Sequence, residues 1–255
     1  MIENTADLRI ERRAHALWLT IDRPAQNNAL TVDLATAATA AIDGVDDDVR
    51  AVVITGSGAM FCPGADPAMA AEALAGGPTK VAEMIYGPLH GWVKSIARAP
   101  VPVIAALNGP ALGGGLDLAL TCDFRIAHES AFLQSTWVGL GLVAGMGGSF
   151  AAAKLAGSAR AAEFILLGEP VPAARALEWG LVNAVTDDLA ETVSGWVARI
   201  VRMPRHGVTA NKRALRRLRD AGLELELQQL GREQSELITS PLFLEAVRAL
   251  RDRQR

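Results

Sequence analysis

The spacing of apolar positions changes several times along the chain, and each change marks an element. Leu8–Ile10 and Ala16–Ile21 are apolar and partly alternating around a charged turn, which predicts two short strands. Arg23-Pro24 ends the second. Thr31 is placed to cap a helix running to about Ile42, with Asp33 in its first turn. The acidic run Asp46, Asp47 and Asp48 reads as a solvated loop. Ala51–Thr55 is a buried strand closed by Gly56-Ser57-Gly58. Val81–Ala97 carries Met84, Ile85, Leu89, Val93 and Ile96 at the spacing of one helix face. Val101–Leu107 is apolar almost without a break, the pattern of a strand covered on both faces. Asn108-Gly109 turns the chain. Gly113-Gly114-Gly115 then opens a helix to about Cys122, and Phe124–Ala127 is a further strand.

Strand, strand and helix therefore recur in order, without an obvious repeat of sequence. The fold class this predicts is α/β. From Gly148 onward the pattern is helical, with Pro172 at a helix start and Gly180 at its end. The strand pattern is missing beyond about Asp187. The final stretch, Arg213–Arg255, is amphipathic and charge-rich; a solvated face and an oligomer contact both fit it.

Composition narrows the function classes. A length of 255 residues suits one large domain, or one with a modest appendage. Aromatics are only 5%, so Ala, Leu, Val and Ile must fill the core. A net charge of −3 gives no electrostatic case for nucleic acid. Cys62 and Cys122 lie far apart in apolar contexts, which argues for buried free thiols rather than a metal site or a disulfide framework. The first residues carry charge without a signal layout, and no apolar run is long enough to span a membrane. The expectation is a reduced, cytoplasmic protein without a bound metal.

The candidate chemistry lies in Asn108–Asp117 (NGPALGGGLD). Three consecutive glycines are poor helix formers, so they answer a steric need: tight packing, or access of a ligand to bare backbone. The residues alone leave both open. A helix starting there offers unpaired N–H groups and the positive end of its dipole, which suits an anion or a carbonyl oxygen becoming one. A phosphate loop would need a Lys and a hydroxyl residue after the glycines, and neither is present. Phe61–Asp66 (FCPGAD) is a second place where backbone could face a ligand. Asp117, three residues after Gly114, shares its helix face and could hold a water or move a proton; an acid favoured by the helix dipole is the plainer alternative. His90 reads as a satisfied, partly buried histidine, and His15, His128 and His206 as turn or surface residues.

Val103–Ala127 (VIAALNGPALGGGLDLALTCDFRIA) closely resembles the signature of the enoyl-CoA hydratase/isomerase family, the crotonase superfamily. FCPGAD resembles that family's other oxyanion segment. Arg23-Pro24 with Asn28-Ala29-Leu30 resembles its early CoA-contacting loop, and Gly145–Val185, including ALEWGLVNAV, its following helices. The resemblance covers nearly the whole chain in order. It implies a crotonase-like spiral of ββα units over residues 1–190, and a C-terminal helical region over 191–255 that builds homotrimers or hexamers. It implies an acyl-CoA thioester as partner, with coenzyme A part of the substrate and no separate cofactor. It puts the oxyanion-hole amides at Ala65 and Gly114, the CoA contacts at Ala29, Ala65, Asp66, Pro67 and Ala68, and the acyl pocket in part at Ala71–Pro88.

Hydratases of this family use two acids. By motif position the first falls on Asp117, one methylene shorter than the usual Glu. The second falls on Trp137, which cannot exchange a proton in that role. In the aromatic-thioester dehalogenase branch a Trp stands at this place and an Asp nucleophile follows; here the nucleophile position is Gly145. Trp137 can line an acyl pocket or simply fill core. The resemblance therefore implies a hydratase- or isomerase-type enzyme with Asp117 as its single acid/base. The alternative is an acyl-CoA-binding protein that keeps the oxyanion hole and has lost the chemistry.

Overall fold

The computed structural model describes residues 4–69, 76–219 and 221–253. Its main sheet has the order β1 (Leu8–Arg13), β2 (Ala16–Ile21), β3 (Ala51–Gly56), β4 (Val103–Leu107), β6 (Phe124–His128) and β9 (Ala184–Thr186). The first pair is antiparallel and all later pairs are parallel. Three short strands, β5 (Ala111–Leu112), β7 (Phe132–Gln134) and β8 (Val171–Pro172), form a second sheet.

The unbroken apolar runs follow from burial on both faces. Side chains alternate across a strand. Leu17, Leu19, Ile21, Val52, Ile54, Val103, Ala105 and Leu107 enter the larger core, under α1 (Val32–Asp43), α3 (Gly87–Arg98) and α4 (Gly113–Thr121). Their neighbours Ala16, Trp18, Ala51, Val53, Ile104, Ala106 and Ile126 enter a second core. Val193 and Val197 of α8 (Leu189–Val201) close that second core. Helix α8 therefore covers the other face of the sheet.

Thr31 caps α1 as its sequence predicts, its hydroxyl accepting from the Leu34 N–H at 3.1 Å. The helix expected over Val81–Ala97 is longer and interrupted. It begins as α2 (Gly77–Val81), passes through a π-helical turn at Ala82–Tyr86, and continues as α3. Further on come α5 (Gly148–Ala156), α6 (Ser158–Leu167), α7 (Ala173–Glu178), α9 (Arg205–Arg219), α10 (Leu223–Ile238) and α11 (Pro241–Arg253). Helix α10 packs against α2 and the π-helical turn.

Two asparagines lock the loop that follows β3. Asn28 is fully buried at a φ of 65°, a conformation Asn tolerates better than most residues. Its amide donates to the carbonyls of Ser57 (2.8 Å) and Met60 (2.6 Å). Asn108 donates to Gly58 O (2.9 Å) and Met60 O (3.2 Å), and accepts from Gly56 N–H (3.0 Å). The next residues, 61–66, are stitched on both sides. Leu112 N–H donates to Cys62 O at 2.9 Å, Leu30 N–H to Gly64 O at 2.8 Å, and Asp66 N–H to Leu30 O at 2.9 Å. Helix α4 then presses its glycines on this loop; a Cβ on Gly115 would lie 2.3 Å from Cys62 O.

Gly115→Ala should therefore lower the unfolding free energy by about 1–3 kcal/mol, the usual cost of overpacking. Gly139→Ala, where a Cβ meets nothing within 4 Å, should change it by less than about 0.5 kcal/mol. Urea denaturation of the two variants checks this; equal midpoints would contradict the packing.

Candidate active site

The two segments singled out in the sequence meet. The amide nitrogen of Gly114 lies 2.9 Å from where a Cβ on Gly64 would sit. The amide nitrogen of Ala65 lies 3.8 Å from where a Cβ on Gly114 would sit. Two main-chain nitrogens from distant parts of the chain thus come close together against glycine backbone, with the Met146 side chain beside them. Gly113 adopts a φ of 46°, the left-handed region that glycine enters without strain, and turns the chain into α4. No side chain caps that helix, so its first N–H groups keep their bonding capacity and the dipole's positive end is bare.

Asp117 sits in the next turn of α4 and is 1% exposed. Its Oδ1 accepts from the Trp137 indole N–H at 3.4 Å, and its Oδ2 from the Met146 N–H at 3.3 Å. The backbone of Gly148 also hydrogen-bonds to the carboxylate. Loss of solvent outweighs these bonds and pushes the carboxyl up to about 7. Gly148 is required by this packing: a Cβ there would lie 1.9 Å from Asp117 Oδ1. Trp137, half-buried, reaches from the other side. Its Cζ2 lies 3.6 Å from the Cβ position of Gly113, so the indole borders both the acid and the glycines.

The residues expected along CoA are partly committed to holding the loop. Arg23 donates to Ala29 O (2.6 Å) and pairs with Asp66 Oδ2 (3.0 Å), while Asp66 Oδ1 accepts from Ala68 N–H (2.9 Å). A cleft of about 370 Å³ lined by Thr31, Val32, Met69, Met84 and Pro88 opens beyond this segment. Of the segment Ala71–Pro88, residues 71–75 lie outside the described residues. A larger groove of about 1220 Å³, bordered by Trp196, Ile200, Met203 and Leu215, shares no lining residue with the site.

His90 is half-buried and donates from Nε2 to Gly145 O at 2.7 Å; burial lowers its basicity. Glu129 is exposed at a turn, away from the acid. Cys62 and Cys122 are buried thiols outside any disulfide, and burial pushes Cys62 up to about 12. Among the described residues, no group of three His, Cys, Asp or Glu side chains could hold a metal, and no helix is long and apolar enough to cross a membrane.

Sequence reasoning singled out Gly145 but missed the rest of the strip, Met146–Gly148, and two side chains beside it, Tyr86 and Gln234. A Cβ on Gly145 would lie 2.4 Å from Gln234 Oε1 and 2.9 Å from Tyr86 Cε1. Three glycines in four residues were the available signal. So was a Gln at the buried spacing of Leu227, Leu230, Gly231 and Ile238 on α10.

The burial of Asp117 has a measurable consequence. Native Asp117 holds its proton up to about pH 7, whereas the ordinary carboxyl ionises near 3.8. Between these values the native state binds more protons than the unfolded chain, so stability falls as pH rises, by about 1.4 kcal/mol per pH unit, and levels off above. Asp117→Asn should remove this contribution. Urea midpoints at pH 5 and pH 8 test it; an unchanged pH slope in the variant would contradict the assignment.

The sequence profile of the enoyl-CoA hydratase/isomerase family matches residues 11–243. A Mycobacterium tuberculosis (strain H37Rv) protein named as a probable enoyl-CoA hydratase is 33% identical over 247 residues, covering 94% of this chain and 95% of that one. The 1,2-epoxyphenylacetyl-CoA isomerase of Escherichia coli K12 is 33% identical over 222 residues, 83% of this chain and 82% of that one. The crystal structure of an enoyl-CoA hydratase from Mycobacterium avium subsp. paratuberculosis K-10 superposes with a TM-score of 0.88 at 33% identity, over 98% of this chain and 97% of that one. By these matches, and with the α/β fold and the meeting of the two glycine-bearing segments, the chain belongs to the enoyl-CoA hydratase/isomerase family, the crotonase superfamily.

Proposed function

We propose that this protein moves a proton along the acyl chain of a CoA thioester, an isomerase-type reaction, through an enolate held by the amides of Ala65 and Gly114. One observation supports the choice of isomerisation over hydration: Asp117 is a buried carboxyl poised near neutrality whose side-chain partner is the indole of Trp137, at the position that the motif likeness gives to a second acid. A hydratase needs one group to activate water and another to protonate carbon, or one carboxylate serving both through the water, so a lone acid impairs ordinary hydration. Proton transfer between two carbons needs one group that accepts and then returns the same proton.

The electrons balance within the substrate. The Asp117 carboxylate takes a proton from a carbon activated by the thioester, and the C–H pair moves into the π system, placing charge on the thioester oxygen. The two amides stabilise that oxygen. Asp117 then gives the proton to another carbon of the same system, and the carboxylate is restored. The CoA arm follows the backbone of Ala65, Asp66, Pro67 and Ala68, with Ala29 alongside. The similarity to a 1,2-epoxyphenylacetyl-CoA isomerase supports this class. In the same reading the C-terminal helices assemble trimers, or hexamers from two trimers, and the protein works in the cytoplasm.

A specific observation favours a second reading, acyl-CoA binding without turnover: both oxygens of Asp117 already accept hydrogen bonds. Conversion of trans-3-hexenoyl-CoA to the conjugated 2-enoyl ester, followed by absorbance, separates the two. Under the isomerase reading kcat/KM rises about tenfold per pH unit toward a plateau above about 7, because the base must be ionised. Asp117→Asn lowers kcat by about 10²–10⁴-fold. Gly114→Pro, which loses its N–H, lowers it by about 10²–10³-fold. Tight binding of the ester with no conversion would favour the binding protein, and full activity of Asp117→Asn would overturn the mechanism.

A further inference from the structure

The buried face of α10 is apolar except at two positions, and one of them is anomalous. Leu227, Leu230, Gly231, Gln234, Ser235 and Ile238 point inward. The Ser235 hydroxyl is satisfied by Gly231 O. Gln234 is 0% exposed, and neither its Nε2 nor its Oε1 has a hydrogen-bond partner. A primary amide stripped of water on both atoms is costly to keep, and a Met of the same length would avoid the cost. The buried Tyr86 ring lies beside it, and the phenol approaches the amide without reaching bonding geometry.

The position of this amide relates it to the site. It borders Gly145, whose lack of a side chain leaves room for it. The next residue, Met146, donates its N–H to Asp117. The Met146 Sδ lies 3.1 Å from the Cβ position of Gly114. One short strip of backbone, Gly145–Gly148, thus touches both the proposed acid/base and the unpaired amide.

We propose that Gln234, together with Tyr86, determines specificity by reading a hydroxyl on the acyl group, beyond the carbons that react. This rests on the acyl-CoA reading above. A free carboxamide nitrogen donates and its oxygen accepts, and a hydroxyl answers both at once. A hydrocarbon chain leaves both atoms unpaired, so a site of this kind discriminates against the analogue that lacks the polar group.

Saturated esters, which cannot react, isolate the effect. Isothermal titration would compare hexanoyl-CoA with 6-hydroxyhexanoyl-CoA, and phenylacetyl-CoA with 4-hydroxyphenylacetyl-CoA. The full-length protein should bind the hydroxylated member of at least one pair about tenfold more tightly or better. In Gln234→Met the two members should bind within about twofold, and Tyr86→Phe should fall between. Free of ligand, Gln234→Met should melt at or above the wild-type temperature, because the unpaired amide is gone. Tight binding of all four esters without discrimination would overturn the role of Gln234 and leave the acyl-CoA reading intact. Melting of Gln234→Met well below wild type would also overturn it, by revealing a structural partner. Binding of none of the four would overturn the acyl-CoA reading and this inference with it.

Discussion

Two strips of backbone, residues 61–66 and 113–117, can lie against each other only where side chains are missing. A methyl on Gly64 would collide with the amide of Gly114, and one on Gly115 with the carbonyl of Cys62. This close approach brings two amides from separate parts of the chain into one space. Much of the surrounding structure maintains it. The parallel strands β3 and β4 deliver the strips to the same end of the sheet, and Asn28 and Asn108 tie down the loop between. A backbone donor held this way needs no reorganisation when charge develops opposite it, which is the physical basis of oxyanion stabilisation.

The second constraint is electrostatic. Asp117 is enclosed by α4, Trp137 and the strip Gly145–Gly148, and enclosure keeps its proton affinity near neutrality. A solvated carboxylate would be a weak base at physiological pH, whereas one poised near 7 exchanges a proton in both directions. Trp137 adds a hydrogen bond to the acid and no proton of its own to exchange, and in the proposed mechanism one group does the proton transfer.

Much of the fold is legible in the residues. The apolar runs of β2, β3 and β4 read as strands because both faces of the sheet are covered, and that is how they sit. The cap at Thr31, and α4 opening on the three glycines, follow from local rules of backbone and hydrogen bonding. Strands β5, β7, β8 and β9 were not legible, the last two within a stretch that reads as helical from Gly148 onward, since two or three residues carry too little period to count. The π-helical turn at Ala82–Tyr86 was hidden because its apolar spacing fits an ordinary helix. Of the proposed site, Ala65, Gly114 and Asp117 stand out in the sequence through glycine spacing and motif likeness. Gln234 and Tyr86 come together only in three dimensions, from helices about 150 residues apart in the chain. A buried polar side chain looks, in sequence, like any other Gln on a helix.

The central claim is that the amides of Ala65 and Gly114 hold a thioester oxygen. Isotope-edited infrared spectroscopy of a saturated acyl-CoA with a ¹³C-labelled thioester carbonyl tests it directly. The bound carbonyl band should shift to lower frequency than in water, and the shift should shrink in Gly114→Pro while the ester remains bound. A carbonyl that binds without any shift, or one whose shift survives that substitution, would contradict the account.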